Sequence, residues 1–421
     1  MRPSSATIDW RRNLYVLVVA QFLSSLGFSF VSPFFPLYIQ QLGVPDASLA
    51  AFWAGVAQFA SGMGGFLSGP IWGTLADRYG RRPMVLRAGF TGAVILALTG
   101  LAPNVGFIVL MRGLSGFFTG VITASLALAA AQAPRERVSF VVGTLQMAFF
   151  LGISTGPLLG GILADAVGYR IPFFVTGGLL LLGALLVLVF VRERFEPPKD
   201  QKSRSGPIQD VRMVLGMSAI VPMLVILLLV RFGPQMLQPT LAAFMQTLVT
   251  DGAASVAGTA FSLLGFVSAG ASVFTGRLTR KEDLRLVTIL SCFAAAVCYV
   301  PQLWVHSPAL STALVALTGI PIGVLMTSTA ALISTTVAQE HQGAVFGVLQ
   351  SVTALAFGLG PLLGGTLGAT LGLRSVFLAD AALFAALGAG VWMMRGPPRA
   401  AAAIPGEAAA PKSTPGSLGG S

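Results

Sequence analysis

Apolar residues run along this chain in long unbroken stretches, without the strict alternation of half-buried strands. Stretches of about 20 or more such residues are long enough to cross a hydrocarbon core of about 30 Å as helices. Twelve occur, near residues 13–38, 49–75, 84–102, 107–132, 138–164 and 171–191, then near 217–247, 254–278, 284–304, 309–335, 342–368 and 375–394. Between the two sets of six lies RERFEPPKDQKSRSGPIQDVRMVLG, residues 192–216, the richest charge run in the chain. The pattern predicts an all-α membrane protein of twelve transmembrane helices in two pseudo-symmetric six-helix bundles. Its parts are an N-terminus (1–12), a first bundle (13–191), a linker (192–216), a second bundle (217–395) and a tail (396–421) whose Ala, Pro, Gly and Ser predict disorder. The first span is too long and too late for a cleaved signal peptide.

Composition agrees. Hydrophobic residues are 55% of the chain and charged ones 10%, against about 25% charge in soluble domains, and the mean hydropathy is +0.82. So few charges cannot clothe a water-exposed surface. The 50 Gly and 25 Pro sit within apolar runs, where membrane helices tolerate them. Cys292 and Cys298 share one span, on different faces, and are expected to be inert thiols.

The net charge of +11 becomes topological once it is placed. Of the 26 Lys and Arg residues, 22 fall in the termini, the linker and the loops that share their side of the membrane. Arg78, Arg81, Arg82 and Arg87 lie between spans two and three, and Arg277, Arg280, Lys281 and Arg285 between spans eight and nine. The positive-inside rule then puts both termini in the cytoplasm of a cell whose inner membrane holds the protein, and nucleic acid drops out as a partner. No strand precedes any Gly cluster, which excludes a dinucleotide loop. Without a soluble domain or an ATP-binding motif, neither an enzyme nor a primary pump is expected, nor a cofactor or metal.

The chain also repeats itself. Residues 143–174 overlay 347–378 at a shift of 204, with fourteen of 32 positions identical. Among them are Gln146/Gln350, Arg170/Arg374, Phe173/Phe377 and the hexapeptide GPLLGG, Gly156 to Gly161 and Gly360 to Gly365. Two six-span halves of the same topology describe a parallel repeat, as in transporters that rock two bundles about a central site. Gly152, Gly156 and Gly160, like Gly360, Gly364 and Gly368, fall on one helix face and permit close helix approach. With Gly161 and Gly365 beside them, Pro157 and Pro361 favour a bend, expected at the interface between halves.

Between spans two and three stands Gly73-Thr-Leu-Ala-Asp77-Arg78-Tyr-Gly80-Arg81-Arg82. This resembles the signature loop of the major facilitator superfamily at every fixed position. The resemblance implies a conformational latch of Gly73, Asp77, Arg78, Gly80, Arg81 and Arg82, in which Asp77 and Arg81 help to hold one state closed. The loop from Gly276 to Asp283 is its degraded copy. Span four carries Arg112-Gly-Leu-Ser-Gly116-x-x-x-Gly120, similar to the family's second motif, and span five is similar to its antiporter motif. The segment from Ser29 to Gly43, at the end of the first span, resembles the first helix of drug:proton antiporters of the multidrug-efflux type.

The family fold implies a central cavity lined by spans one, four, seven and ten. Its candidate residues are Gln21, Ser24, Ser25, Phe28 and Ser32, then Arg112 and Ser115, then Arg231, Gln235 and Gln238. A mostly apolar lining with a few polar groups suits small amphipathic molecules. Coupling to H+ by antiport is implied by the resemblance alone, with Arg112, Asp77 and Asp380 as candidates. Asp380 is the one carboxylate well inside a span and the one partner within reach of a mid-membrane Arg231. The expected function is proton-coupled export, by a monomer in the bilayer. A metabolite or siderophore exporter or an uptake facilitator of the same fold, and more distantly a non-transporting sensor, are the alternatives.

Overall fold

The computed structural model describes residues 9–195, 216, 220–278, 284–336 and 342–393. Residues 196–215 of the linker, the loops holding Arg280, Lys281 and His341, and the tail beyond Met393 lie outside them. So do the side chains of Asp77, Arg277 and Gln350.

The first half holds α1 (Trp10–Phe30), α2 (Phe35–Gln41), α3 (Ala47–Tyr79), α4 (Arg81–Gly100), α5 (Val105–Phe118), α6 (Val121–Gln132), α7 (Val138–Val167) and α8 (Ile171–Phe190). The second holds α9 (Ile220–Gln246), α10 (Ala253–Leu278), α11 (Leu284–Tyr299), α12 (Pro308–Thr336), α13 (Gln342–Leu371) and α14 (Ser375–Met393). No strand occurs among the described residues. Span one is α1 and α2, joined by a short 3-10 turn at Ser32–Phe34, where Pro33 and Pro36 each lack a backbone donor. Span four is α5 and α6, broken at Thr119–Gly120, with Gly120 at φ 134°. Exposed backbone is costly in a bilayer, and here it is satisfied. Trp72 Nε1 donates to the Phe117 carbonyl at 2.7 Å, and Arg87 Nη1 to that of Phe118 at 2.7 Å.

Eleven of the twelve spans are long and apolar enough to cross a membrane by composition. The other, α3, is 33 residues long, rich in Gly and Ser, and packs between α5 and α13. In the same way α10 lies between α12 and α7. The halves therefore meet along two related seams, α3 on α13 and α10 on α7. Large apolar side chains such as Leu182, Val189, Val297, Leu290 and Trp392 are exposed on the outer helices, as a lipid-facing surface requires.

The buried side chains are distributed unevenly along the helix axes. One apolar cluster runs through both halves; at the end away from Arg78–Arg82 it includes Phe34, Tyr38, Ile39, Leu241, Phe244 and Phe377, and in the second half it continues to Val391 at the basic end. Near the basic end, a separate cluster of Leu14, Leu17, Val85, Leu128, Val141 and Val187 belongs to the first half alone.

Candidate functional site

Where the halves meet at mid-height, a pocket of about 40 Å³ is lined by Phe28, Ser32, Phe35, Gln58, Arg112 and Gln238, with Pro36, Pro239 and Pro361. A drug-sized ligand needs about 300 Å³ or more, so the walls hold this site nearly closed. Arg112 of α5 is buried, and its guanidinium carbon lies 4.3 Å from the centre of the Phe35 ring. That cation–π contact offsets part of the cost of its charge, yet its Nε makes no hydrogen bond. Across the seam, Gln238 Nε2 donates to Ser32 Oγ at 2.9 Å. A further pocket of about 330 Å³, lined by Gln58, Ser61, Gly62, Thr353 and Phe357, runs from Gln58 toward the basic end.

Arg231, Gln235 and Gln238 follow one face of α9 at helical spacing; of the three, Gln238 lines the pocket and Arg231 and Gln235 do not. Arg231 Nε and the Oε1 atoms of Gln21, Gln235 and Gln238 are buried without a partner. Polar groups in that condition await a ligand or water. Ser25 points elsewhere: its hydroxyl donates to the Gln21 carbonyl at 2.8 Å and packs on Gly152 of α7. Gln21, Ser24 and Ser115 are buried but do not line the pocket. Gln58 was not among the residues expected here. A lone amide in the apolar run of span two was its signal, hidden because span two was not counted as cavity-lining.

Asp380 lies on the other side of α9. It is fully buried, its two carboxylate oxygens accept no hydrogen bond, and Oδ1 faces Gly233. Two residues away, Arg231 points in the opposite direction, so no Arg231–Asp380 pair closes.

The Gly-Pro motif has a symmetric reading. A Cβ on Gly156 or Gly160 would strike Ser29 or the Phe30 backbone of α1, and one on Gly364 the Met236 backbone of α9. Gly161 abuts Ala254, and Gly365 abuts Ala51, each across a seam. From the other side, Gly258 abuts the Pro157 carbonyl and Gly55 the Pro361 carbonyl. Gly62 meets Gly358 where Gly265 meets Ser154. Both prolines stand inside continuous helices. Gly55 and Gly62 recur as Gly258 and Gly265 at a shift of 203, a repeat that the longer match at 204 obscured.

At the signature loop, Gly80 at φ 96° is the single residue between α3 and α4. The N-terminus of α4 is capped by a residue of the linker. Glu193 accepts from the Arg81 N–H at 3.0 Å and the Arg82 N–H at 2.7 Å. The arginine side chains bond carbonyls of the same half: Arg81 Nη1 to Ala127 at 2.9 Å and Arg82 Nη2 to Leu188 at 2.7 Å. Arg78 and Gly73 are exposed. Glu193, just past span six, gave no periodic signal.

The far end is clamped between halves. Asp165, at the end of α7, accepts from the Ser255 N–H at 2.7 Å and its hydroxyl at 2.5 Å. It thus caps α10 from the other half, whereas α3 is capped by its own Asp46 through the Leu49 N–H at 2.7 Å. Burial, and secondarily the same carboxylate, pushes the Tyr169 phenol up from its ordinary value. Gln40 and Gln246 exchange amide hydrogen bonds at 2.7 and 3.1 Å. Arg170 and Arg374, the two basic residues in loops at this end, bond loop carbonyls, of Ala102 at 3.5 Å and of Leu303 and Val305 at 2.6 and 2.9 Å.

Residues 17–322 and 303–418 match the Major Facilitator Superfamily. The chain is 32% identical over 387 residues to multidrug resistance protein MdtG of Citrobacter koseri, covering 90% of this chain and 94% of that one. It is 32% identical over 375 residues to a multi-drug resistance efflux pump PmrA homolog of Lactococcus lactis, covering 88% and 92%. Among solved structures, an inward-facing, occupied bacterial homolog of the human lysosomal transporter Spinster aligns with a TM-score of 0.73 over 90% of this chain and 95% of that one, at 15% identity.

Proposed function

The chain belongs to the major facilitator superfamily, and from that premise we propose that it exports small amphipathic molecules, several chemically unlike ones, in exchange for protons. It is a secondary active transporter of the multidrug type and not an enzyme. Its relatives carry the names of multidrug resistance and efflux proteins. The observation that carries the reading is the mid-height pocket, shared between halves and lined by aromatic rings, amides and one buried cation. Such a lining grips apolar bodies loosely and orients them by few polar contacts.

The protein is read as a monomer in the cytoplasmic membrane with both termini and the basic loops inside. On that orientation the clamped end faces outward, and the state described is closed to the outside. Alternating access would then part Asp165 from Ser255 and Gln40 from Gln246. In the opposite state, Asp77 and Arg81 would serve as the latch at the inner end. Uptake or metabolite export by the same fold stays second, because nothing in the pocket is matched to one substrate.

Inside-out vesicles bearing the purified protein test this. With an imposed proton gradient they should accumulate a fluorescent amphipathic dye, Hoechst 33342, and a protonophore should abolish the accumulation. Accumulation that survives a protonophore but not the collapse of a sodium gradient would refute the proton-coupled reading. Absence of any vectorial dye movement would refute export.

A further inference from the structure

The second half encloses a polar group that the pocket does not use. Asp380 of α14 is fully buried, and neither of its oxygens accepts a hydrogen bond. Its surroundings are built to receive it. A side chain at Gly233 of α9 would strike the Phe384 ring at 2.7 Å and lie 3.3 Å from Asp380 Oδ1, so the carboxyl fits only because α9 presents a glycine there. Phe384, one turn further along α14, stacks on Tyr299 of α11 at 5.9 Å and 9°. The Tyr299 hydroxyl is itself buried with no hydrogen-bond partner among the described residues.

The next residue of α9 is Pro234, inside the helix. It has no N–H to give the Val230 carbonyl, one turn earlier. Gly233 has no side chain to donate to a carboxylate, and an ionised carboxylate has no proton of its own to give, whereas a protonated carboxyl is a donor as well as an acceptor. The other ionisable groups on the neighbouring helices are accounted for. Arg231 points to the opposite face of α9. Cys292 packs at Gly388, two turns along α14, and Cys298 lies one residue from Tyr299. Arg285 bonds the Val391 and Trp392 carbonyls at the basic end of α14. None of them neutralises a charge at Asp380, and an ionised carboxylate without a partner is costly in an apolar interior.

We propose that Asp380 is a proton-binding site of the transport cycle, occupied by H+ in the state closed at the clamped end and emptied, as α9 moves, to water on the basic side while that side is still open. Only α9 separates it from the pocket. A change of charge at Asp380 therefore acts on the helix whose other face carries Arg231, Gln235 and Gln238, at the turn where Gly233 and Pro234 weaken it. Loss of the proton leaves a charge that must find water or a cation, which the packed bundle does not offer. The bundle then yields at that turn, and proton release is tied to a shift of the substrate-facing side chains.

This assignment rests on the proton-coupled reading above, and the experiment separates the two. Wild type and Asp380→Asn are reconstituted, and two activities are read with Hoechst 33342: proton-gradient-driven accumulation and gradient-free dye exchange. Asparagine keeps the volume and mimics the neutral form. Asp380→Asn should lose accumulation down to the protonophore background while keeping exchange, and Asp380→Glu should restore part of the accumulation. Accumulation by Asp380→Asn that a protonophore abolishes as in wild type would overturn the assignment and leave the proton-coupled reading intact. Wild-type accumulation that ignores a protonophore would overturn both. Loss of exchange as well, in a variant of normal membrane abundance, would assign Asp380 to packing or substrate binding and overturn the proposal. Should the variant fail to fold, the wild type decides. Dicyclohexylcarbodiimide, which attacks protonated carboxyls in apolar surroundings, should label Asp380 as mapped by mass spectrometry. The labelling should fade as pH rises and block accumulation in proportion, and an unlabelled Asp380 would overturn the assignment.

Discussion

Adding one methyl group to Gly258 or Gly55 should drive the two halves apart at the clamped end. A Cβ on Gly258 would fall on the Pro157 carbonyl oxygen and 3.0 Å from its carbon, and one on Gly55 would do the same to Pro361, again with 3.0 Å to the carbon. The struck atoms are backbone, so no rotamer change relieves the clash. Overpacking a close-packed site costs about 1–3 kcal/mol, and the cost vanishes once the seam parts. Each substitution should therefore shift the ratio of closed to open molecules by about 5- to 150-fold. The pair should add, since the sites lie on different seams of one rigid-body movement. Spin labels at Gln40→Cys and Gln246→Cys, whose native amides bond across the halves, would report the separation by pulsed resonance. The background needs Cys292→Ala and Cys298→Ser. Gly178→Ala, which meets nothing within 4 Å, is the control. Distance distributions for Gly258→Ala and Gly55→Ala that match the control would refute the view that these seams close by glycine contact.

The clamp carboxylate should act in the same direction but more weakly: Asp165→Ala removes a helix cap worth about 1 kcal/mol, an opening of roughly fivefold in the same label pair. Ser255→Ala, which keeps the backbone bond, should open it less, and no change for Asp165→Ala would mean the cap does not bias the states. Arg231→Gln should alter the preference among anionic, neutral and cationic dyes in competition assays more than it lowers membrane abundance. Equal losses for all three classes would place Arg231 in packing instead.

Twelve spans, two halves and the basic end were legible because each rests on a one-dimensional quantity: run length, a repeat shift, or the position of Lys and Arg. Arg112 and Gln238 were legible as candidates because the family resemblance put spans four and seven at the cavity and a polar side chain in an apolar run is conspicuous. The breaks in spans one and four were not. Pro33, Pro36 and Gly120 are ordinary within membrane runs, and what stabilises the second break is Arg87 and Trp72, which lie far away in sequence. Those two look like a loop charge and a lipid anchor until the Phe117 and Phe118 carbonyls are found beside them. Glu193 and Asp165 were invisible for the same reason: each caps a helix to which nothing local connects it.

The seams teach a finer lesson. Hydrophobic periodicity reports which face of a helix avoids water, but in a bilayer both the lipid face and the packed face do so, and periodicity loses its power to separate them. What separates them here is residue size. Gly55, Gly62, Gly258 and Gly265 mark the packed faces of α3 and α10, and each meets backbone or a small side chain of the opposite half. Comparing the chain with itself at a shift of 203 recovers them, since a glycine kept at equivalent places in both halves is one that the same close approach requires twice. The repeat is thus more than a record of ancestry. It is a contact predictor, and where it fails it points to function: Arg231 against Phe28, Asp165 against Ala369 and Asp380 against Thr176 are charges present in one half only. A symmetric pair of bundles would have no reason to prefer one of its two closed states. These three unmatched charges, one on the α9 face that carries Gln238, one clamping the far end and one buried behind α9, are where a preference can be set and a driving ion can act on it.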